Sequence, residues 1–147
     1  MKILAIASKG GHWVQLLRIT KALNHCDIAY VSTYSRLSET VKEHPFYTIL
    51  DGDRNAIFRL LQTLFIMFKI IYKTQSDIII TTGSAPALMG IIAGKIMGKK
   101  TIWIDSIANV EKVSTSGRIA HYFANRVYTQ WPDLANSKFL FNGNILS

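Results

Sequence analysis

Five apolar residues, Ile3-Leu4-Ala5-Ile6-Ala7, run directly into Ser8-Lys9-Gly10-Gly11-His12 and then into Trp13-Val14-Gln15-Leu16-Leu17. An apolar run this short, bounded by a turn signal, reads as a buried strand rather than a helix. The segment behind it repeats apolar residues at threes and fours (Val14 and Leu17; Leu16, Ile19 and Leu23) and so predicts a helix. A strand turning through two glycines into a helix opens a β-loop-α unit. Such a turn leaves backbone N–H groups uncovered at the positive end of a helix and can seat an anion; equally, Gly-Gly can serve only as a tight turn. His12 stands at the mouth of that helix, where an imidazole donates to a phosphate or takes a proton from a hydroxyl.

The alternation continues to the end of the chain. Residues 28–33 read as a second strand, 38–42 as a short helical piece and 46–50 as a third strand. Asp51-Gly52-Asp53 then turns the chain, with either aspartate suited to cap a long helix over residues 55–73. A fourth strand over 78–82 leads through Gly83-Ser84-Ala85-Pro86 into a helix that has Pro86 as its first residue and stops at Gly98. A fifth strand spans 101–105, a helix 116–124 and a sixth strand 126–129. Unbroken apolar strands alternating with helices predict one Rossmann-like α/β domain over residues 1–147, a parallel sheet of about six strands with helices on both faces. A chain of 147 residues holds one such domain and falls short of two. Ligands of these sheets bind beyond the carboxyl ends of the strands, and the turns at Gly10-Gly11, Gly83-Ser84 and Asp105-Ser106 share that edge.

Composition excludes several classes. No G-x-x-x-x-G-K-[ST] or G-x-G-x-x-G occurs, and residues 28–33 end in Ser32-Thr33 without an acid for a ribose, which argues against a dinucleotide oxidoreductase. The single cysteine, Cys26, forbids an internal disulfide and fits a reducing compartment; His25, His44 and His121 lack ligand spacing. No metal or cofactor is expected: Asp51-x-Asp53 has the look of a metal-binding pair, but a capped turn explains it fully. A net charge of +8 favours anionic partners, without the compact basic-aromatic motif of a nucleic-acid binder. Met1-Lys2 with five apolar residues is too short for a secretory signal, and no apolar run reaches the length of a spanning helix.

The long helix carries too much apolar surface for its place. At 100° per residue Asn55, Arg59, Gln62, Thr63, Lys69 and Lys73 gather in one arc, and Phe58, Leu61, Phe65, Phe68 and Tyr72 belong to a wide apolar remainder. Either this is a deeply buried core helix, or its surplus faces a partner or lipid. Arg59 and Lys69 bracket a stretch too short to span a bilayer, so the membrane reading places Phe58, Leu61, Phe65, Phe68 and Tyr72 in the interface, with Arg59 and Lys69 toward anionic headgroups.

Three segments bring chemistry to the predicted edge: Lys9 to His12; Thr82-Gly83-Ser84-Ala85-Pro86; and Asp105-Ser106-Ile107-Ala108-Asn109. His12 or Asp105 is a candidate base for activating a hydroxyl. Lys9, Gly10, Gly11, Gly83, Ser84, Ser106 and Asn109 are candidate contacts to an acceptor or its phosphates. Helix capping is the alternative for Ser84 and Asp105.

With those residues in place, the chain resembles the Alg-fourteen family of oligosaccharide biosynthesis proteins, including bacterial PssD- and CpsF-type subunits of capsule and exopolysaccharide synthesis. The likeness rests on Ser8 to His12 with Gln15-Leu16-Leu17, Thr82 to Pro86, and Asp105-Ser106 running to Val110. Its most specific part is Ser116-Gly117-Arg118, His121, Phe123-Ala124 and Gln130-Trp131-Pro132-Asp133-Leu134. The resemblance implies the N-terminal half of a GT-B glycosyltransferase similar to MurG-type enzymes, peripheral on the cytoplasmic face of the membrane. It implies a subunit of an inverting UDP-sugar transferase that acts on a polyprenyl-diphosphate-linked acceptor. A separate Alg-thirteen-like, PssE-type subunit would bind the donor. Where relatives often carry Glu and Arg, this chain has Asp105 and Asn109. A non-catalytic membrane anchor for such a partner is the alternative role.

Overall fold

In a computed structural model of the chain, residues 1–51 and 56–146 are described. Six strands form one sheet: β1 (Lys2–Ile6), β2 (Asp27–Ser32), β3 (Phe46–Thr48), β4 (Ile78–Thr81), β5 (Lys100–Ile104) and β6 (Arg126–Tyr128). Their order is β3-β2-β1-β4-β5-β6, and every pairing is parallel. The chain steps outward from β1 to β3, crosses back through a helix to β4, and then steps outward the other way. The connections leaving β1 and β4 therefore run in opposite directions, which is where an open parallel sheet forms its crevice.

Side-chain alternation along β1 divides the core in two. Leu4 and Ile6 face one layer with Val31, Ile79 and Trp103, covered by α2 (Ile57–Thr74), α3 (Ala85–Ile96) and α4 (Thr115–Ala120). Ile3 and Ala5 face the other with Trp13, Leu16, Tyr30 and Ile80, covered by α1 (Gly11–Thr20) and short 3-10 turns at Lys21–Leu23 and Ser35–Val41. The single Rossmann-like domain expected from the alternation is the observed fold, with strand ends within about two residues of the expected ones. α3 lies close on the sheet because Gly94 meets it: a Cβ there would stand 2.8 Å from both Ile79 Cγ1 and Thr101 Cγ2. Pro86 is the second residue of α3 rather than the first.

One expectation for the long helix needs correction. Asp51 does not cap it: Ala56 precedes its first residue, Ile57. Asp53 and Asn55 lie outside the described residues. Of the polar arc, Thr63 is 1% exposed and joins Met67, Ile70 and Ile71 on the packed side. Packing against α3 and the sheet sets that side, and the side chains nearest it are buried whether polar or not. The apolar surplus is real and exposed: Phe58 is 80% exposed, Tyr72 72%, Phe65 64% and Leu61 46%. Phe68 is the exception, half-buried against the core. Among the described residues no helix is long and apolar enough to cross a membrane.

Candidate active site

The crevice beyond β1, β4 and β5 holds a cleft of about 450 Å³, lined by Ser8, His12, Asp51, Gly83, Ser84, Ala85, Pro86, Asp105, Ser106, Ala108, Asn109, Ser114, Thr115 and Ser116. It gathers the starts of three helices, α1 behind Gly10, α3 behind Ser84 and α4 behind Ser114. The first N–H groups of a helix have no partner within it, and they carry the positive end of its dipole.

His12 is fixed by its surroundings. Its Nδ1 lies 3.0 Å from the carbonyl oxygen of Thr82, and Thr82 Oγ1 donates to the His12 carbonyl at 2.6 Å. A carbonyl only accepts, so the neutral ring carries its hydrogen on Nδ1 and keeps a lone pair on Nε2. The ring lies over Gly83, where an added Cβ would stand 2.8 Å from Cε1 and 2.9 Å from Nδ1. Gly83 is thus glycine for two reasons: this approach, and its φ of 130°. Ser84 follows with φ 106° and ψ 160°, a region nearly exclusive to glycine that costs about 1–3 kcal/mol for a serine. Its Oγ accepts from Ala87 N at 3.3 Å and caps α3.

Asp105 is held differently. Its carboxylate is 2% exposed as a residue and accepts from Trp103 Nε1 (3.0 Å), Ser114 Oγ (2.6 Å), Ser114 N (2.9 Å) and Asn109 Nδ2 (3.0 Å). Four donors use the four lone-pair positions of a carboxylate. None remains for a substrate hydroxyl, which corrects the expectation of Asp105 as a base: it positions the 105–114 loop and the start of α4. Asp105→Ala strips buried donors of their acceptor, so the unfolding free energy should fall by about 3 kcal/mol in urea titration. An unchanged midpoint would show that the loop holds itself.

A second set of bonds stitches α1 to the same loop. Gln15 Oε1 accepts from Ile107 N (2.7 Å) and Gln130 Nε2 (2.9 Å); Gln130 Nε2 also donates to the Asp105 carbonyl (2.8 Å), and Trp131 Nε1 to the Ile107 carbonyl (2.7 Å). Gln15, Gln130 and Trp131, which the sequence offers only as marks of resemblance, are the clamp that holds the cleft's wall.

Other expectations fare unevenly. Ser84, Ser106 and Asn109 do line the cleft, although Ser106 Oγ is engaged by Ala108 N at 3.2 Å. Gly83 lines it too, but its N–H donates to Thr81 Oγ1 at 3.1 Å, so it is not a free anion donor as expected. Lys9 is not brought in: its Nζ sits 5.9 Å from the ring centre of Tyr34. Gly10 and Gly11 shape the start of α1 without lining the cleft; Gly10 has a φ of 86°. Asp51, Ser8 and the start of α4 were not expected there. The Ser114-x-x-Gly117 cap, with Ser114 Oγ accepting from Gly117 N at 2.9 Å, was the available signal for the last. No cluster of metal-ligating side chains occurs among the described residues.

This architecture defines one Rossmann-like half of a bilobed fold. It superposes on MurG of Acinetobacter baumannii with a TM-score of 0.81 at 19% identity, covering 96% of this chain and 45% of that one. It also superposes on the Neisseria meningitidis UDP-GlcNAc 2-epimerase bound to UDP-GlcNAc, with a TM-score of 0.73 at 9% identity, covering 98% of this chain and 46% of that one. The chain spans less than half the length of these solved structures. Residues 47–143 match the family described as "Oligosaccharide biosynthesis protein Alg14 like", and the chain belongs to it. Among curated relatives, the UDP-N-acetylglucosamine transferase subunit ALG14 of Mus musculus is 22% identical, the match covering 99% of this chain and 83% of that one. A UDP-N-acetylglucosamine--N-acetylmuramyl-(pentapeptide) pyrophosphoryl-undecaprenol N-acetylglucosamine transferase of Crocosphaera subtropica is 26% identical over 71% of this chain and 33% of that one.

Proposed function

We propose that the chain is the acceptor-side subunit of a split UDP-sugar glycosyltransferase, joined at the membrane surface by a separate donor-binding subunit. The observation that carries this reading is an oriented histidine in a cleft whose fold corresponds to one half of a bilobed transferase. The relatives' names point to UDP-N-acetylglucosamine as the first donor to try, and to a polyprenyl-diphosphate-linked sugar as acceptor. Synthesis of a capsule or exopolysaccharide is the setting in which we place it, on the cytoplasmic face.

In this mechanism the acceptor's diphosphate is held by the backbone N–H groups that capping leaves free at the starts of α1 and α3. His12 Nε2 takes the proton of the acceptor hydroxyl. The hydroxyl oxygen attacks the anomeric carbon of the donor while the bond to UDP breaks on the opposite face, giving inversion. The partner binds and neutralises the departing UDP. Asp105 and Asn109 hold the loop that forms the cleft's far wall.

The test is co-purification from detergent-solubilised membranes, followed by a transfer assay with UDP-N-acetylglucosamine and other UDP-sugars. Transfer is expected from the two-chain complex and from neither chain alone. Tight binding and turnover of a UDP-sugar by this chain by itself would overturn the reading.

A further inference from the structure

The charge in the cleft runs against the charge of the chain. Seventeen Lys and Arg stand against nine Asp and Glu in the sequence, yet the described residues lining the cleft include two carboxylates and no Lys or Arg. The two acids differ in kind. Asp105 is buried with its lone pairs taken by four donors. Asp51 is exposed, and among the described residues its carboxylate has no hydrogen-bond or ion-pair partner; only its backbone carbonyl is engaged, by Arg59 Nη1 at 3.3 Å. Strand β3 lies at one edge of the sheet, yet the chain that follows it brings Asp51 to the lining of the cleft that also holds Ser84 and Asn109.

An ionised carboxylate in a confined cleft repels a phosphate. Toward a sugar it does the opposite, because charged acceptors form the stronger class of hydrogen bond and two oxygens can take two neighbouring hydroxyls at once. The hydroxyls and the amide that Ser8, Thr115, Ser116 and Asn109 bring to the cleft's lining are likewise suited to a neutral polyol. We infer that Asp51 is a specificity-determining residue that accepts hydrogen bonds from hydroxyls of the acceptor's sugar, and that its charge disfavours a phosphate beside it. The inference rests on the acceptor-side reading given above and deepens it.

The experiment uses the complex of this chain with its partner subunit. Its substrates are a short-chain polyprenyl-diphosphate sugar, a set of monodeoxy versions of that sugar, and the sugarless polyprenyl diphosphate as a competitor. Asp51→Asn and Asp51→Ala should raise acceptor KM about tenfold or more with kcat and donor KM within twofold, the pattern of lost uniform binding. At least one deoxy acceptor that is poor for the wild type should be no poorer for the variants, because the same bond is already missing. The sugarless competitor should bind the variants at least as well as the wild type. Acceptor KM unchanged, or no coupled deoxy position, or weaker binding of the sugarless competitor would each overturn the assignment of Asp51 to the sugar while leaving the subunit reading standing. A wild-type complex that transfers nothing to any of these acceptors would take both down.

Discussion

His12→Ala should lower turnover of the two-chain complex by about 10² or more, the usual contribution of a positioned general base, while the complex still assembles. Thr82 pins Nδ1 through its carbonyl at 3.0 Å, so the ring keeps a lone pair on Nε2 and is locked at the mouth of α1. Gly83→Ala tests the same point from outside the ring, because its Cβ would enter the space of Cε1 and Nδ1. Displacing the ring should cost roughly tenfold or more in turnover, and the double variant should be no worse than His12→Ala alone, as expected when both changes act on one group. Steady-state transfer with the partner present reads both. Near-normal turnover in His12→Ala would move the chemistry to the partner and leave this chain as its membrane anchor.

Much of this arrangement is legible in the order of the residues, and the parts that are not share a cause. Short strands, largely apolar and separated by helical periodicity, fix a parallel sheet almost without regard to detail. The same logic puts Gly83, Ser84, Asp105 and His12 on one edge, since each follows a strand at its carboxyl end. What periodicity does not give is direction. Lys9 sits in the glycine turn and yet leans onto Tyr34. Thr63 shares a helical arc with Arg59 and Lys69 and yet is buried, because packing on α3 decides which side of α2 is inside. Asp51 reads as a helix cap from its neighbours and instead reaches the cleft, a consequence of how the chain leaves the outermost strand. Asp105 is equally a base or a cap by its place in the chain, and only the four donors that surround it decide the matter.

In the proposed function the cleft and α2 serve the two ends of one acceptor. An acceptor whose head is a sugar diphosphate and whose tail is a polyprenyl chain needs the head presented to His12 while the tail stays in lipid. Helix α2 divides its exposed surface accordingly. Viewed down the axis, Leu61, Tyr72, Phe65 and Phe58 follow one another on one flank, and Lys69, Gln62, Lys73 and Arg59 on the next. An apolar strip beside a cationic strip, on a helix already anchored to the core along its third side, suits attachment to an anionic membrane surface.

Phe58→Ser, Phe65→Ser and Tyr72→Ser together should abolish flotation of the protein with liposomes containing anionic lipid. Burial of a large apolar side chain stabilises by about 1.5–3 kcal/mol, so three removed together amount to about 4 kcal/mol even at the low end, a factor of roughly 10³ in partition. The fold should not feel the change, since all three are more than 60% exposed; far-UV circular dichroism and the unfolding midpoint should match the wild type. Met67→Ser on the same helix is the opposite case: Met67 is 0% exposed, and its replacement should lower stability without testing attachment. Arg59→Gln and Lys69→Gln should weaken binding to anionic vesicles by about 1 kcal/mol per cation removed, and more at low salt than at high salt. If the triple variant floats as the wild type does while folded, the exposed apolar flank of α2 is the face of a protein partner, and the acceptor's tail must be met elsewhere.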